Sequence, residues 1–413
     1  MKITKTKTFE AKDSLEDRII RVSEELLMAL IEVLESVPGG LGGPQELARS
    51  LNLDKVLTSR LLKATRTRDP MAMAYHLPGP EPVRRFLRAA RRKSVDAALI
   101  TRAESAVEAF HSFIREEVGD RSALDALISA WLPEAREEFE SRRKQSAYRA
   151  MSQLRGTSAD MTLGTVLLHP SQDGESIDVV WAVGLLGLRR VRLGARAKLT
   201  TRRLGPNAST RKPMTLSGES VESLKNLDAL RLDEFCNKEP APVEVRCVDD
   251  SVHYLLAADG VGTRFVSDFL MAEVNLSEMP HGVPAQSERK GYVFAEVSIP
   301  TKALVFDVLV HNDVFPGSNP ELYIYDTALE GYADVNDRTR DLDRMELAES
   351  VNALGHGSME LRIPEFPKYV ELLRHIYSEM RWDESEFRNY RCRIEYPIYG
   401  SQVALAFDPP KLS

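Results

Sequence analysis

Gly43-Pro-Gln-Glu-Leu-Ala-Arg-Ser-Leu-Asn-Leu-Asp-Lys-Val-Leu-Thr-Ser-Arg-Leu-Leu62 decides how this chain is read. Pro44 suits the first turn of a helix, where its missing N–H costs nothing. Leu47, Ala48 and Leu51 give that helix one apolar face, and Ala48 leaves room for a second helix to cross closely. Asn52 stands where a sharp turn needs a positive φ, and asparagine is the usual substitute for glycine there. Leu53 tucks into the corner. Asp54 is then placed to cap a second helix that buries Leu57, Leu61 and Leu62 and turns Lys55, Val56, Ser59, Arg60 and Lys63 outward. The pattern predicts two short helices, Pro44 to Leu51 and Lys55 to Arg66, crossing at Asn52.

This stretch resembles the bacterial helix-turn-helix regulators, above all the winged type of the isocitrate-lyase-regulator (IclR) family, in its Leu47-Ala48 step, its turn and its Ser59-Arg-Leu-Leu62 ending. Tyr75-His-Leu-Pro-Gly-Pro-Glu81 is similar to the segment that leaves the wing and enters the next helix, so the resemblance covers about 80 of 413 residues. It implies that the chain binds duplex DNA, with the second helix in the major groove and Lys55, Val56 and Ser59 at base edges. Arg60, Lys63, Arg66 and Arg68 would then contact phosphates, which adds affinity but little sequence information. A homodimer is implied too, because one small module makes few contacts. The chain departs from the family in three places. Val56 replaces a polar residue, Thr58 replaces an apolar one, and Asp69-Pro-Met-Ala-Met-Ala74 reads as a short helix where the family forms a hairpin. The same two helices could instead serve contacts with a partner protein.

The charge supports a polyanion partner for the N-terminal part alone. Met1 to Arg155 holds 27 basic and 23 acidic residues, net +4, while the remainder holds 28 and 39, net −11. Between Arg49 and Lys93, 12 basic residues face only Asp54, Asp69 and Glu81. Part of that excess is a second run, Arg84, Arg85, Arg88, Arg91, Arg92 and Lys93, which could track a nucleic-acid backbone or form a solvated face.

Outward from the quoted stretch, Leu15, Ile19, Val22, Leu26, Leu30, Val33, Leu34 and Val37 repeat near a 3.6 period behind a Ser14/Asp17 capping box, predicting a helix from Ser14 to Val37. Pro38-Gly39-Gly40-Leu41-Gly42-Gly43 ends it. Further helices are expected at Glu81 to Lys93, Val95 to Val118 and Ser122 to Leu154. Past Gly156 the character changes to short β-rich runs: Thr165–Leu168, Ile177–Val183, Val243–Val248, His253–Leu256, Tyr292–Ile299, Ala303–Val310 and Glu321–Tyr325. Helices are expected to return at Ser220 to Phe235, Asp341 to Asn352 and Phe366 to Arg381, before strand-like alternation from Cys392 to Phe407. The fold class is therefore multidomain, α followed by α+β. We read 1–93 as the helix-turn-helix, winged-helix-like domain, 94–155 as a helical linker or dimerisation region, and 156–413 as an α+β domain for sensing or assembly, open to a small-molecule effector.

Several classes are disfavoured. Met1 to Phe9 alternates Lys and Thr and does not read as a secretory signal. The longest apolar run, Val179 to Leu188, is about half of the roughly 20 residues a membrane span needs. Cys236, Cys247 and Cys392 are scattered, which argues against disulfides and structural zinc and suits a reducing cytoplasm. No GxxxxGK[ST], HExxH, GxSxG or CxxC motif occurs, so no catalytic residue, metal or cofactor is assigned. Gly260-Val-Gly262 reads as a turn. For an enzyme, the best candidate is His311-Asn-Asp313 with Glu296, Asp307 and Glu330, which lacks diagnostic spacing. His169, His253 and His281 read as structural histidines, and Trp181, Tyr323, Tyr325, Tyr396 and Tyr399 as core or interface aromatics.

Overall fold

Ser14 caps the first helix as its sequence requires: its hydroxyl accepts the Asp17 N–H at 3.1 Å while the Asp17 carboxylate accepts the Ser14 N–H at 3.2 Å. The computed structural model describes residues 14–203, 213–220, 227–237, 243–248, 251–256, 260–262 and 265–412. They divide into two compact units, 1–140 and 141–413.

Unit 1 is helical among its described residues: α1 (Leu15–Glu35), α2 (Pro44–Leu51), α3 (Lys55–Arg66), α4 (Pro70–His76), α5 (Pro80–Arg91), α6 (Ala97–Phe113), which ends in a wider π turn, α7 (Arg121–Trp131) and the start of α8 (Pro133–Arg155). The expected helix from Ser122 to Leu154 is thus interrupted between Trp131 and Pro133, because proline cannot donate the N–H that would continue it. Gly40 is required after α1, since a Cβ there would lie 1.7 Å from the Leu34 carbonyl oxygen. One core joins Leu26, Leu30 and Val33 of α1 to Leu57 and Leu61 of α3, Phe86 of α5, Phe110 of α6 and Ile128 of α7. Residues 94–140, read from sequence as linker or dimer seam, pack into this core. The hairpin that the family resemblance implies after Arg66 is not formed: α4 occupies that place, N-capped by Asp69 at 2.7 Å.

Unit 2 contains β1 (Thr157–Pro170), β2 (Ser176–Arg190), β3 (Ala197–Arg203), β4 (Val243–Val248), β5 (Ser251–Leu256), β6 (Ser267–Pro280), β7 (Val283–Pro284), β8 (Gly291–Glu296), β9 (Thr301–His311), β10 (Glu321–Asp326), β11 (Val351–His356), α9 (Tyr369–Met380), β12 (Phe387–Glu395), β13 (Ser401–Phe407) and β14 (Lys411–Leu412). A six-stranded sheet runs β11-β12-β9-β1-β2-β6, parallel only between β1 and β9. Alternation splits its side chains between two cores. Leu163, Leu167, Val305 and Leu309 meet α9 on one face. Val166, Leu168, Phe306 and Val308 meet the three-stranded sheet β10-β13-β8 on the other. Strands buried on both faces read as near-continuous apolar runs, which is why Ala303–Val310, interrupted only by Asp307, stood out in the sequence. Gly187, at φ +63°, lets β2 bulge beside Asp160.

One helix expectation fails here, and a second fails within its described residues. Residues 341–352 form the end of a 3₁₀ turn (Arg338–Asp343), an extended segment and the start of β11. The buried Arg340 guanidinium donates to the Gly331 and Tyr332 carbonyls, both at 2.9 Å, and Met345 and Leu347 pack against the core between the six-stranded and three-stranded sheets. These tertiary contacts outweigh a helical propensity worth tenths of a kcal/mol per residue, on the order of ~0.5. Of Ser220 to Phe235, residues 221–226 lie outside the described residues, and the rest includes short 3₁₀ turns at Leu227–Leu230 and Asp233–Phe235. The Met1 to Phe9 segment also lies outside the described residues. No helix among the described residues is long and apolar enough to cross a membrane.

Candidate nucleic-acid interface

The corner between α2 and α3 is built locally. Asn52 adopts φ 51°, ψ 52°, and the Leu53 N–H closes on the Ala48 carbonyl at 2.9 Å, satisfying the end of α2. The Asp54 side chain accepts the Leu57 N–H at 2.8 Å and caps α3. Thr58 is fully buried, and its hydroxyl donates to the Pro44 carbonyl at 2.8 Å. The hydroxyl thus fastens α3 to the first turn of α2, which accounts for a polar residue at this buried position.

With that face buried, α3 presents Lys55, Val56, Ser59 and Lys63 to solvent. Residues 56, 59 and 63 fall at helical spacing along one stripe, with Lys55 beside it at the N-terminal tip. Among the described residues Lys55, Lys63 and Arg68 form no ion pair. Two of the predicted phosphate contacts are placed differently. Arg60 is half-buried and donates to the Tyr75 and Leu77 carbonyls at 3.4 and 3.3 Å. Arg66 stays exposed but donates to the Gly42 carbonyl at 2.8 Å, anchoring the glycine loop.

Arg60 has a counterpart in Arg121, which donates to the Ala74 and Tyr75 carbonyls at 3.1 and 2.9 Å. Cations at the C-terminal end of a helix satisfy its orphan carbonyls and its dipole, which matters for an α4 of only seven residues. His76 ends this helix. Burial, then the nearby Lys63 charge, pushes it below the ordinary imidazole value of 6.5.

Arg85 reaches the Asp54 carboxylate at 3.8 Å, which brings α5 to the head of α3. The second basic run is partly committed within the unit: Arg84 pairs with Glu81 and Glu108 at 2.7 and 2.8 Å, and Arg91 with Glu104 at 2.8 Å. Arg88, Arg92 and Lys93 are exposed and form no ion pair among the described residues. Arg85, Arg88 and Arg92 share one side of α5 by their spacing. Sequence reasoning missed this link between the two basic groups, because nothing local ties Asp54 to Arg85.

Of the enzyme candidates in unit 2, His311 and Asp313 approach to 3.8 Å, while Asp307, Glu296 and Glu330 are engaged by other residues. Asp307 is fully buried, bonded to Arg391 at 2.8 and 2.7 Å and to the Tyr369 hydroxyl at 2.6 Å. Glu296 stands on β8, where burial raises its carboxyl, and Glu330 lies 3.8 Å from Arg340. His311 accepts the Asp313 N–H on Nδ1 at 3.2 Å and donates from Nε2 to Glu386 at 3.2 Å, which fixes its tautomer. His169 stacks on Trp382 with ring centroids 4.5 Å apart and lies edge-on to His311 at 4.8 Å. His281 donates to the Asp313 carbonyl at 3.0 Å. This histidine group, formed where parallel β1 and β9 end together, was invisible in the sequence because the pairing joins residues far apart. Among the described residues, no cluster of three or more His, Cys, Asp or Glu could hold a metal. A cavity of about 490 Å³ is lined in part by the apolar Met161, Leu186 and Phe366. Its lining also holds two ion pairs, Lys302 with Asp160 and Arg393 with Glu365, each at 2.7 Å. Tyr323 stacks on Tyr325 at 6.2 Å, and Tyr396 lies against Tyr148 at 5.4 Å, so these aromatics pack in pairs.

No family model and no curated protein matches the chain. Among solved structures, a candidate protease from Parabacteroides distasonis ATCC 8503 aligns with a TM-score of 0.24 and 8% identity over 62% of this chain, which spans 41% of that one. So low a score establishes neither a shared fold nor a shared activity.

Proposed function

We propose that α2 and α3 form a helix-turn-helix and that the chain is a DNA-binding transcription regulator, resembling the IclR-like regulators in this module. On this reading it works as a homodimer, with unit 2 as a sensing or assembly module. The observation that carries the proposal is the outward face of α3, where Lys55 and Lys63 flank Ser59 with no acidic partner among the described residues. Docked with the N-terminal end of α3 in the major groove, Lys55, Val56 and Ser59 face base edges. Lys63 and Arg68 then contact phosphates, Arg66 does so from its anchor on the glycine loop, and Arg88, Arg92 and Lys93 extend the contact along α5. Arg60 braces α3 against α4. Asp54 is kept from repelling phosphate by the α3 N-terminus and by Arg85.

Mobility shifts of random duplex DNA by the full chain, at 50 to 200 mM salt, test this. Binding should weaken steeply with salt, because each neutralised phosphate releases counterions. A flat response, or no binding at the lowest salt, contradicts it. A second reading, contact with a partner protein through the same face, draws on the 71% exposure of Val56. It predicts that Lys55→Glu with Lys63→Glu changes partner recovery without any effect on DNA.

A further inference from the structure

Val56 is the one apolar side chain on the outward stripe of α3, and no packing among the described residues accounts for it. It is 71% exposed, so it contributes little to the core. Valine is also a poorer helix former than the polar residues that usually face solvent, because its branched Cβ loses χ1 freedom against the preceding turn. Its place is specific: it is the second residue of α3, between Lys55 and the Ser59 hydroxyl one turn on. The Cα–Cβ bond of a helical residue tilts toward the N-terminus, so this side chain leads at the tip that enters the groove first. In the major groove the apolar feature of a base edge is the C5-methyl group of thymine, which is met by apolar side chains.

Resting on the DNA-binding reading above, we infer that Val56 is a specificity-determining residue that packs against a thymine methyl. The duplex this chain prefers therefore carries an A·T pair at the position under the head of α3. Lys55 and Ser59 flank that contact with a cation and a hydroxyl. The chemical class recognised is thus duplex DNA with a methyl-bearing pyrimidine at a fixed position.

The experiment uses the full chain. A preferred duplex is first selected from a random library, and each thymine is then replaced singly by deoxyuridine, which removes the methyl and keeps the hydrogen-bonding edge. One replacement should weaken binding by about 3- to 5-fold, the effect of one buried methyl group. In Val56→Ser, whose exposed position leaves folding unaffected, the same replacement should have no further effect. Binding of a selected duplex that tolerates deoxyuridine at every thymine, or equal sensitivity in Val56→Ser, overturns the role of Val56 and leaves DNA binding standing. Failure to enrich or bind any duplex at low salt overturns the DNA-binding reading and the inference with it.

Discussion

The buried Asp307 of β9 and Arg391 of β12 are committed to each other, whereas the lysines on the outer face of α3 form no ion pair among the described residues. Thr165, Asp307 and Arg391 are register partners on three adjacent strands, and Tyr369 of α9 closes on them, donating to Asp307 and lying 2.8 Å from the Thr165 hydroxyl. Arg391 donates in addition to the Leu361 and Arg362 carbonyls at 2.7 and 3.1 Å. A buried charge is tolerated only when paired and hydrogen-bonded, so this network satisfies itself and leaves nothing for a ligand. Lys55 and Lys63 instead keep their charge facing solvent, where a flexible, hydrated ammonium is costless to the fold and available to phosphate. The difference separates charges that hold the structure from charges that the structure merely displays.

Breaking the first kind should have the largest effect on stability. Asp307→Ala leaves Arg391 buried without its carboxylate, and breaking such a pair costs about 3–5 kcal/mol. Urea unfolding of the full chain should show this loss, while duplex binding at a temperature where the variant is folded stays unchanged. A smaller effect is expected at the corner of unit 1. Asn52→Ala places an ordinary Cβ at φ 51° and should cost about 1–2 kcal/mol, whereas Asn52→Gly relieves that strain and should be nearly neutral. If both variants destabilise equally, the left-handed turn is not what fixes the crossing of α2 and α3.

The smallest effect concerns pH. Native His76 stays neutral below 6.5 while the unfolded ring takes up a proton, so its contribution is full above pH 6.5 and is lost as pH falls through the depressed native value. The unfolding midpoint measured between pH 7.5 and 5.5 should fall less in His76→Gln than in the unaltered chain. An identical pH profile for the two would show that burial at the end of α4 does not hold the ring neutral.

The parts of this molecule legible in its sequence are those whose causes are local. Ser14, Pro44, Asn52 and Asp54 each act within four residues, and α1, α2 and α3 begin or end where these residues place them. The coarse order, helices followed by strands and mixed elements, was legible from the change of period at Gly156. What escaped depends on distant partners. Phe269 to Val274 of β6 is interrupted by Glu273, and its place at the sheet edge is set by β2, some 90 residues earlier. Residues 341–352 have a helical composition but are held extended by Arg340, Met345 and Leu347. A helical projection turned Arg60 outward, yet its long side chain bends to the carbonyls that end α4. α6 and α7 looked like a spacer because amphipathicity shows that a helix has an apolar face, not which core receives it.

The most direct measurement compares the unaltered full chain with Lys55→Glu, Lys63→Glu in equilibrium binding to one duplex across a salt series. If these two lysines display their charge to a phosphate backbone, the double variant loses both affinity and roughly two phosphate contacts' worth of salt slope, about 0.9 per contact in log K against log salt. An unchanged slope and affinity, in a variant that unfolds at the same urea concentration as the parent, would contradict the claim that the face of α3 is what this chain offers to DNA.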